Sequence, residues 1–152
     1  MSIFTSQIEW TGNRGTGTSG YQAYDRTWSV RTPGKPEISC SNDPALGGDP
    51  TLHNPEDMLL NALSACHMLW VLHLASDARL VVTAYRDNPE GVGESDPSGA
   101  GRFLSATLKP EITLDRGTPE TADAIHSRIH EVCYIARSVN FPVNVIARYK
   151  TP

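Results

Sequence analysis

The stretch His53 to Ser76, HNPEDMLLNALSACHMLWVLHLAS, constrains this chain more than any other. From Met58 to Ala75 no residue carries a formal charge, and apolar side chains fall on every face of a helix rather than on one stripe. A helix of that kind is buried all round or crosses a membrane. The run is at the short end for a span, holds Asn61, Ser64, His67 and His73, and has no second span beside it. It is therefore expected to be the central helix of a soluble protein. Asn54 suits its cap, Pro55 its first position, and Glu56 and Asp57 sit where the helix dipole favours acids. Cys66 lies in its middle.

A chain of 152 residues is long enough to bury a real core, and residues 1–152 are expected to form a single domain. The formal net charge of −4 argues against nucleic acid or an anionic membrane as partner. MSIFTSQIEW lacks the basic region and apolar run of a signal peptide, so a cytoplasmic location is expected. In that compartment disulfides are transient and catalytic more often than structural, and Cys40, Cys66 and Cys133 make no disulfide framework.

Taken in order, Ser2 to Trp10 reads as a first strand and TGNRGTGTSG as a turn. That turn has no Lys-Ser/Thr ending and no helix after it, so it is not a phosphate loop. Tyr21 to Arg31 reads as a second strand, and Thr32 to Leu52 as a long connection, mobile or functional. After the central helix, Arg79 to Arg86 is strand-like, residues 88–101 read as a loop, and Arg102 to Leu114 alternates as another strand, with Pro110 as a blemish. Thr118 caps a second helix with Pro119 at its first position, and Ala122, Ile125, Ile129, Val132, Cys133 and Ala136 give it one buried face. Val143 to Tyr149 alternates as a last strand. The order ββ-α-ββ-α-β is an α+β pattern.

Cys66 and Cys133 both fall on core-facing helical positions, and each is explicable as a small buried hydrophobe. The segment N-P-E-D-M-L-L-N-A-L-S-A-C, from Asn54 to Cys66, resembles the OsmC/Ohr family of osmotically inducible and organic hydroperoxide resistance proteins. That family's signature is Asn-Pro-Glu, then a helix rich in Ala and Leu, with a cysteine ten residues after the glutamate, as for Glu56 and Cys66. A second family cysteine lies near the end of the second long helix, where Cys133 stands in His-Glu-Val-Cys. Arg14 to Thr18, R-G-T-G-T, resembles the family's arginine-bearing first turn. The chain departs from the family at Tyr134, where members often have Pro after the second cysteine. Cys40 matches no motif and reads as incidental.

The resemblance implies an OsmC-like fold, two long helices with antiparallel strands in an intertwined dimer. It implies a cysteine peroxidase acting on organic hydroperoxides, with Cys66 attacking and Cys133 resolving. It implies a dithiol reductant such as a lipoyl group, and no cofactor. Such chemistry needs a thiolate, which burial disfavours. Lowering a thiol pKa by about two units takes roughly 2.7 kcal/mol, which a close arginine in a partly dry site can supply. Arg14 fits the family's turn; Arg26, expected on the second strand, is its rival. Glu56 and Cys66 stand about 15 Å apart on one helix, so a glutamate that orients the arginine has to come from a second subunit. Glu56 is also explicable as a dipole residue alone.

Two other readings stay open. His126, His130 and Cys133 fall at i, i+4 and i+7, a helical face a transition metal could use, with His126 at the solvent edge of the stripe. Alternatively the chain is a non-catalytic dimeric binding protein for a small apolar ligand. His67 points about 100° away from Cys66 on a helix, so a Cys-His catalytic pair is not expected, and His67 reads as an interior histidine.

Overall fold

The computed structural model describes Met1 to Pro152, which fall into two compact units, residues 1–58 and 59–152. In the first, β1 (Gln7–Trp10), β2 (Trp28–Arg31) and β3 (Ile38–Cys40) form an antiparallel sheet in that order. The first two strands are shorter than the alternation suggested. Residues 21–27 turn back instead, and only Tyr24 bridges to Asn13. Arg26 accordingly lies in this turn and not on a strand. The long connection is structured: it carries β3 and a short 3-10 turn, Pro44–Leu46, capped by Asp43. Cys40 ends β3 opposite Trp28, fully buried.

Helix α1 runs Pro55–Asp77. Its start is tied by a reciprocal pair: the Asp57 amide donates to Asn54 Oδ1 at 2.7 Å, and the Asn54 amide to Asp57 Oδ2 at 3.2 Å. Beyond that start, in the second unit, the helix is not buried all round. Leu63, His67, Val71 and Ala75, four residues apart, make one buried stripe, while Ala65, Leu69 and Leu72 stay exposed. By length and composition alone α1 could cross a membrane.

The rest of the second unit is two three-stranded sheets. Strands β4 (Val81–Asp87), β7 (Pro110–Arg116) and β9 (Arg148–Lys150) form one; β5 (Glu90–Ser95), β6 (Gly101–Leu108) and β8 (Val143–Val145) form the other. β4 pairs antiparallel with β7 and β5 with β6, while β8 pairs parallel to β6 and β9 parallel to β7. The chain changes sheet between β6 and β7 at Lys109, whose amide donates to Asp87 Oδ1 at 2.7 Å. Pro110 is the first residue of β7, a position a sheet tolerates. The single last strand expected from the alternation is likewise split, because it follows the same bend.

β5 was unreadable as a strand. Its sequence, EGVGES, is exposed throughout, and only backbone pairing to β6 defines it. A side chain at Gly91 would lie 2.3 Å from the Phe103 ring, so glycine is what lets that ring cross. The observed order is βββ-α-ββββ-α-ββ, within the expected α+β class.

Thr118 caps α2 (Pro119–Val132), accepting from the Thr121 amide at 3.3 Å. Val71 and Ala75 of α1, Ile112 and Leu114 of β7, Ala122, Ile125 and Ile129 of α2, with Leu80 and Cys133, form one buried cluster. Each fully buried aliphatic side chain contributes about 1.5–3 kcal/mol of transfer free energy. Gly117, at φ +114°, closes the β7–α2 turn where a Cβ would strike Leu80 at 2.6 Å.

Truncation should show where this core lies. Ile129→Ala, at a position with no exposure, should lower the unfolding free energy in urea by about 2–5 kcal/mol. Ile146→Ala, at a position 57% exposed, should stay within about 0.5 kcal/mol of the parent.

Candidate active site

Cys66 occupies the fourth turn of α1. Cys133 sits just past α2, as its C-cap (φ −68°, ψ 113°), not within the helix as the spacing suggested. Its amide still donates to Ile129 O at 2.8 Å, which holds it against the end of the helix. The two thiols meet, with Sγ atoms 2.9 Å apart. Cys133 is buried and Cys66 is half-buried, so Cys66 is the more accessible sulfur. Burial pushes the Cys133 thiol up to about 11, and the neighbouring Cys66 sulfur adds to the effect. The Ala136 amide, 3.5 Å from Cys133 Sγ, acts the other way.

The two candidate arginines belong to the first unit. The Arg14 guanidinium donates to Gln22 O and lies 3.6 Å from Asp25, with about half its side chain exposed. The glycines beside it are needed: Gly15 and Gly17 have positive φ, and both amides donate to Asn13 Oδ1. Arg26 is more firmly committed. It donates to Tyr24 O at 2.9 Å and Tyr21 O at 2.7 Å, and its guanidinium sits 4.5 Å from the Tyr24 ring centroid and 4.1 Å from that of Tyr21. Glu56 is exposed in the first turn of α1.

A second pair joins the same two helices. His67 Nε2 and His126 Nδ1 are 2.8 Å apart, and the rings stack with 5.0 Å between centroids. Both residues are buried. His126 thus lies inside the stripe, not at its solvent edge. Desolvation lowers the His67 pKa to about 4, with His126 adding to the effect. Desolvation also lowers that of His126, against the pull of Asp123 and Asp87. Sequence reasoning missed this pair as a unit. Its signal was present: His126 shares the spacing of Ala122, Ile129 and Cys133, and His67 follows Cys66. No three His, Cys, Asp or Glu side chains converge into a group fit to hold a metal, so His126, His130 and Cys133 do not form the metal site their spacing allowed.

A sequence model of the OsmC-like protein family matches residues 48–148. The chain belongs to the OsmC-like family. An OsmC-like protein of unknown function from Vibrio cholerae is 26% identical, over 97% of this chain and 100% of its own, with a TM-score of 0.88. An organic hydroperoxide resistance protein OsmC from Legionella pneumophila, 18% identical over 99% of both chains, has a TM-score of 0.69. An organic hydroperoxide resistance protein from Elizabethkingia anophelis, with thiocyanate bound, gives the same identity, coverage and TM-score. At that identity the likeness shows the OsmC-like fold alone. No curated protein matches the sequence.

The histidine pair sets a pH limit on this OsmC-like fold. A histidine whose pKa folding has lowered stays neutral in the native state while the unfolded chain takes up a proton. Stability is therefore fully present above about pH 6.5 and falls as pH drops toward about 4, by on the order of 3 kcal/mol for His67. Urea midpoints measured across that window should fall for the parent, and the fall should flatten in His67→Gln.

Proposed function

We propose that this protein is a thiol-dependent peroxidase that reduces organic hydroperoxides, with Cys66 as the attacking thiolate and Cys133 as the resolving thiol. The observation that carries this reading is the 2.9 Å approach of the two sulfurs, half-buried against buried. In the first step Cys66 S⁻ attacks the distal oxygen of ROOH. The O–O bond breaks, the alkoxide takes a proton and leaves as alcohol, and Cys66 becomes a sulfenic acid. Cys133 then attacks the Cys66 sulfur: the S–S bond forms, the S–O bond breaks and water leaves. A dithiol reductant reopens the disulfide by exchange. Two proteins of the same fold are described as organic hydroperoxide resistance proteins, which supports organic peroxides as the substrate class. The core against which Cys66 packs is apolar, with Trp70 one turn further along α1 packed against it as well, which suits an apolar R group.

The reading includes a homodimer. In the single chain, Leu69 is 62% and Leu72 38% exposed on the face of α1 opposite its buried stripe. A second copy would cover that face, and a two-fold axis would bring each α1 beside its mate. The thiolate then needs a cation. Arg14 is favoured on the resemblance of its turn, R-G-T-G-T, to the family's, with Arg26 close behind; Arg26 carries the larger set of local contacts. Glu56 of the second subunit would orient it.

Cys66→Ser should abolish consumption of tert-butyl hydroperoxide under a dithiol reductant, and hydrogen peroxide should be the poorer substrate for the parent. Cys133→Ser should still form a trappable sulfenic acid but turn over poorly. A Cys66→Ser protein that kept most of its turnover would sink the assignment. If neither peroxide is consumed and the thiols react ordinarily, the protein is a binding protein instead.

Arg14→Ala should slow the oxidation step at neutral pH and lose less at high pH, with Glu56→Ala milder in the same direction. Pairing a Glu56→Ala subunit with a Cys66→Ser subunit leaves one Cys66, served by the other subunit's Glu56. That mixed dimer should react at a near-normal rate; a rate as slow as the Glu56→Ala homodimer removes the cross-subunit glutamate.

A further inference from the structure

The buried histidines have no part in the chemistry above, yet a polar pair inside a core is costly unless satisfied. His126 Nε2 is buried without any partner, as is the Tyr85 hydroxyl. A cavity of about 420 Å³ is lined by His67, His126, His130, Asp123 and Cys133, together with apolar residues such as Leu63 and Leu108. The resolving thiol and both imidazoles therefore border one space large enough for several waters.

Two neutral imidazoles in this geometry share one proton between the facing nitrogens and hold a second at an outer nitrogen, His67 Nδ1 or His126 Nε2. A proton taken at the bare outer nitrogen shifts the shared proton across and frees the one at the far end. The pair can thus pass a proton between α1 and α2 and return to neutrality.

We propose that the His67–His126 pair is a proton relay that accepts the Cys133 thiol proton, by way of water in the cavity, as Cys133 closes onto Cys66. The inference rests on the thiol pair acting as a dithiol, as in the peroxidase reading. In that closure Cys133 loses a proton to the relay, its sulfur is oxidised as the S–S bond forms, and the Cys66 sulfur is reduced as its leaving group departs with the electron pair. The leaving group takes up the proton that the relay releases. A relay is needed because burial holds Cys133 strongly in the thiol form. Two carboxylates act on the His126 imidazole and suit a passing positive charge, Asp123 on α2 and Asp87 on β4; Tyr149 of β9 lies against His126 and its hydroxyl donates to Asp123 at 2.6 Å, while His130 of α2 lines the same cavity. Asp87 is itself held by Ser64 Oγ, at 2.6 Å, from the turn of α1 that precedes His67. These are positioning residues, acting on sulfur through water.

The test uses 4,4′-dithiodipyridine on the reduced full-length protein, so it needs no peroxide. Cys66 attacks the reagent and releases one thiopyridone; closure by Cys133 releases the second, in a separate optical phase. In His126→Gln the second phase should slow by about 10²-fold relative to the first at pH 7. Its rate should then climb about tenfold per pH unit, as direct ionisation of Cys133 takes over, while the parent stays flatter. Added imidazole should restore part of the rate. His67→Asn breaks the other half and should give the same profile, which keeps the test open if one variant fails to fold. A second phase at the parental rate in both variants, or a deficit equal at every pH, overturns the relay and leaves the peroxidase reading standing. A parent that consumes no hydroperoxide yet shows the histidine-dependent second phase overturns the peroxidase reading and upholds the relay.

Discussion

The interaction on which the second unit depends is the crossing of α1 and α2, where two unlike contacts lie side by side. One joins sulfurs at 2.9 Å, the other imidazoles at 2.8 Å. On the core side of them the packing is aliphatic, through Val71, Ala75, Ile125 and Ile129, while the cavity borders them on the other. The same burial that holds the helices together raises the Cys133 thiol and keeps both histidines neutral. Stability and the protonation of these groups are thus set by one partly desolvated contact.

That contact is asymmetric in its burial. Cys66 is half-buried on a regular helix, while Cys133 is sealed at the end of α2. Cys66 is the more exposed residue of the two, and Cys133 approaches it from the buried side. The polar residues nearby are also placed by more than one element: Ser64 from α1, Asp87 from the sheet corner, Asp123 from α2 and Tyr149 from β9. A core that spends four elements on polar partners has given up apolar area it could have buried, which fits a site better than a scaffold.

Much of this was legible in the chain. Asn54-Pro55 and Thr118-Pro119 set both helix starts, because cap and first-turn preferences are local. The Asn-Pro-Glu spacing to Cys66 led to the family, and helical periodicity put Cys133 on the inner face. Other features were hidden for stated reasons. β5 has no side-chain pattern to read, since only its backbone is used. The break at Lys109 looks like one strand with a flaw, because alternation continues across it. The last strand fails to show its split because β8 and β9 inherit that bend by parallel pairing.

Sequence by itself determined the class, the two helices, the family and which two cysteines to look at, all of which follow from local preference or from the resemblance and its spacing. Only the tertiary structure decided what those residues meet. The uncharged run of α1 implied burial on every side, whereas one chain covers a single stripe of it and leaves Leu69 and Leu72 outside. His126 read as lying at the solvent edge of its stripe and is instead half of a buried pair. Both outcomes depend on which elements pack across a helix, and that is fixed by long-range contacts whose partners are distant in the chain.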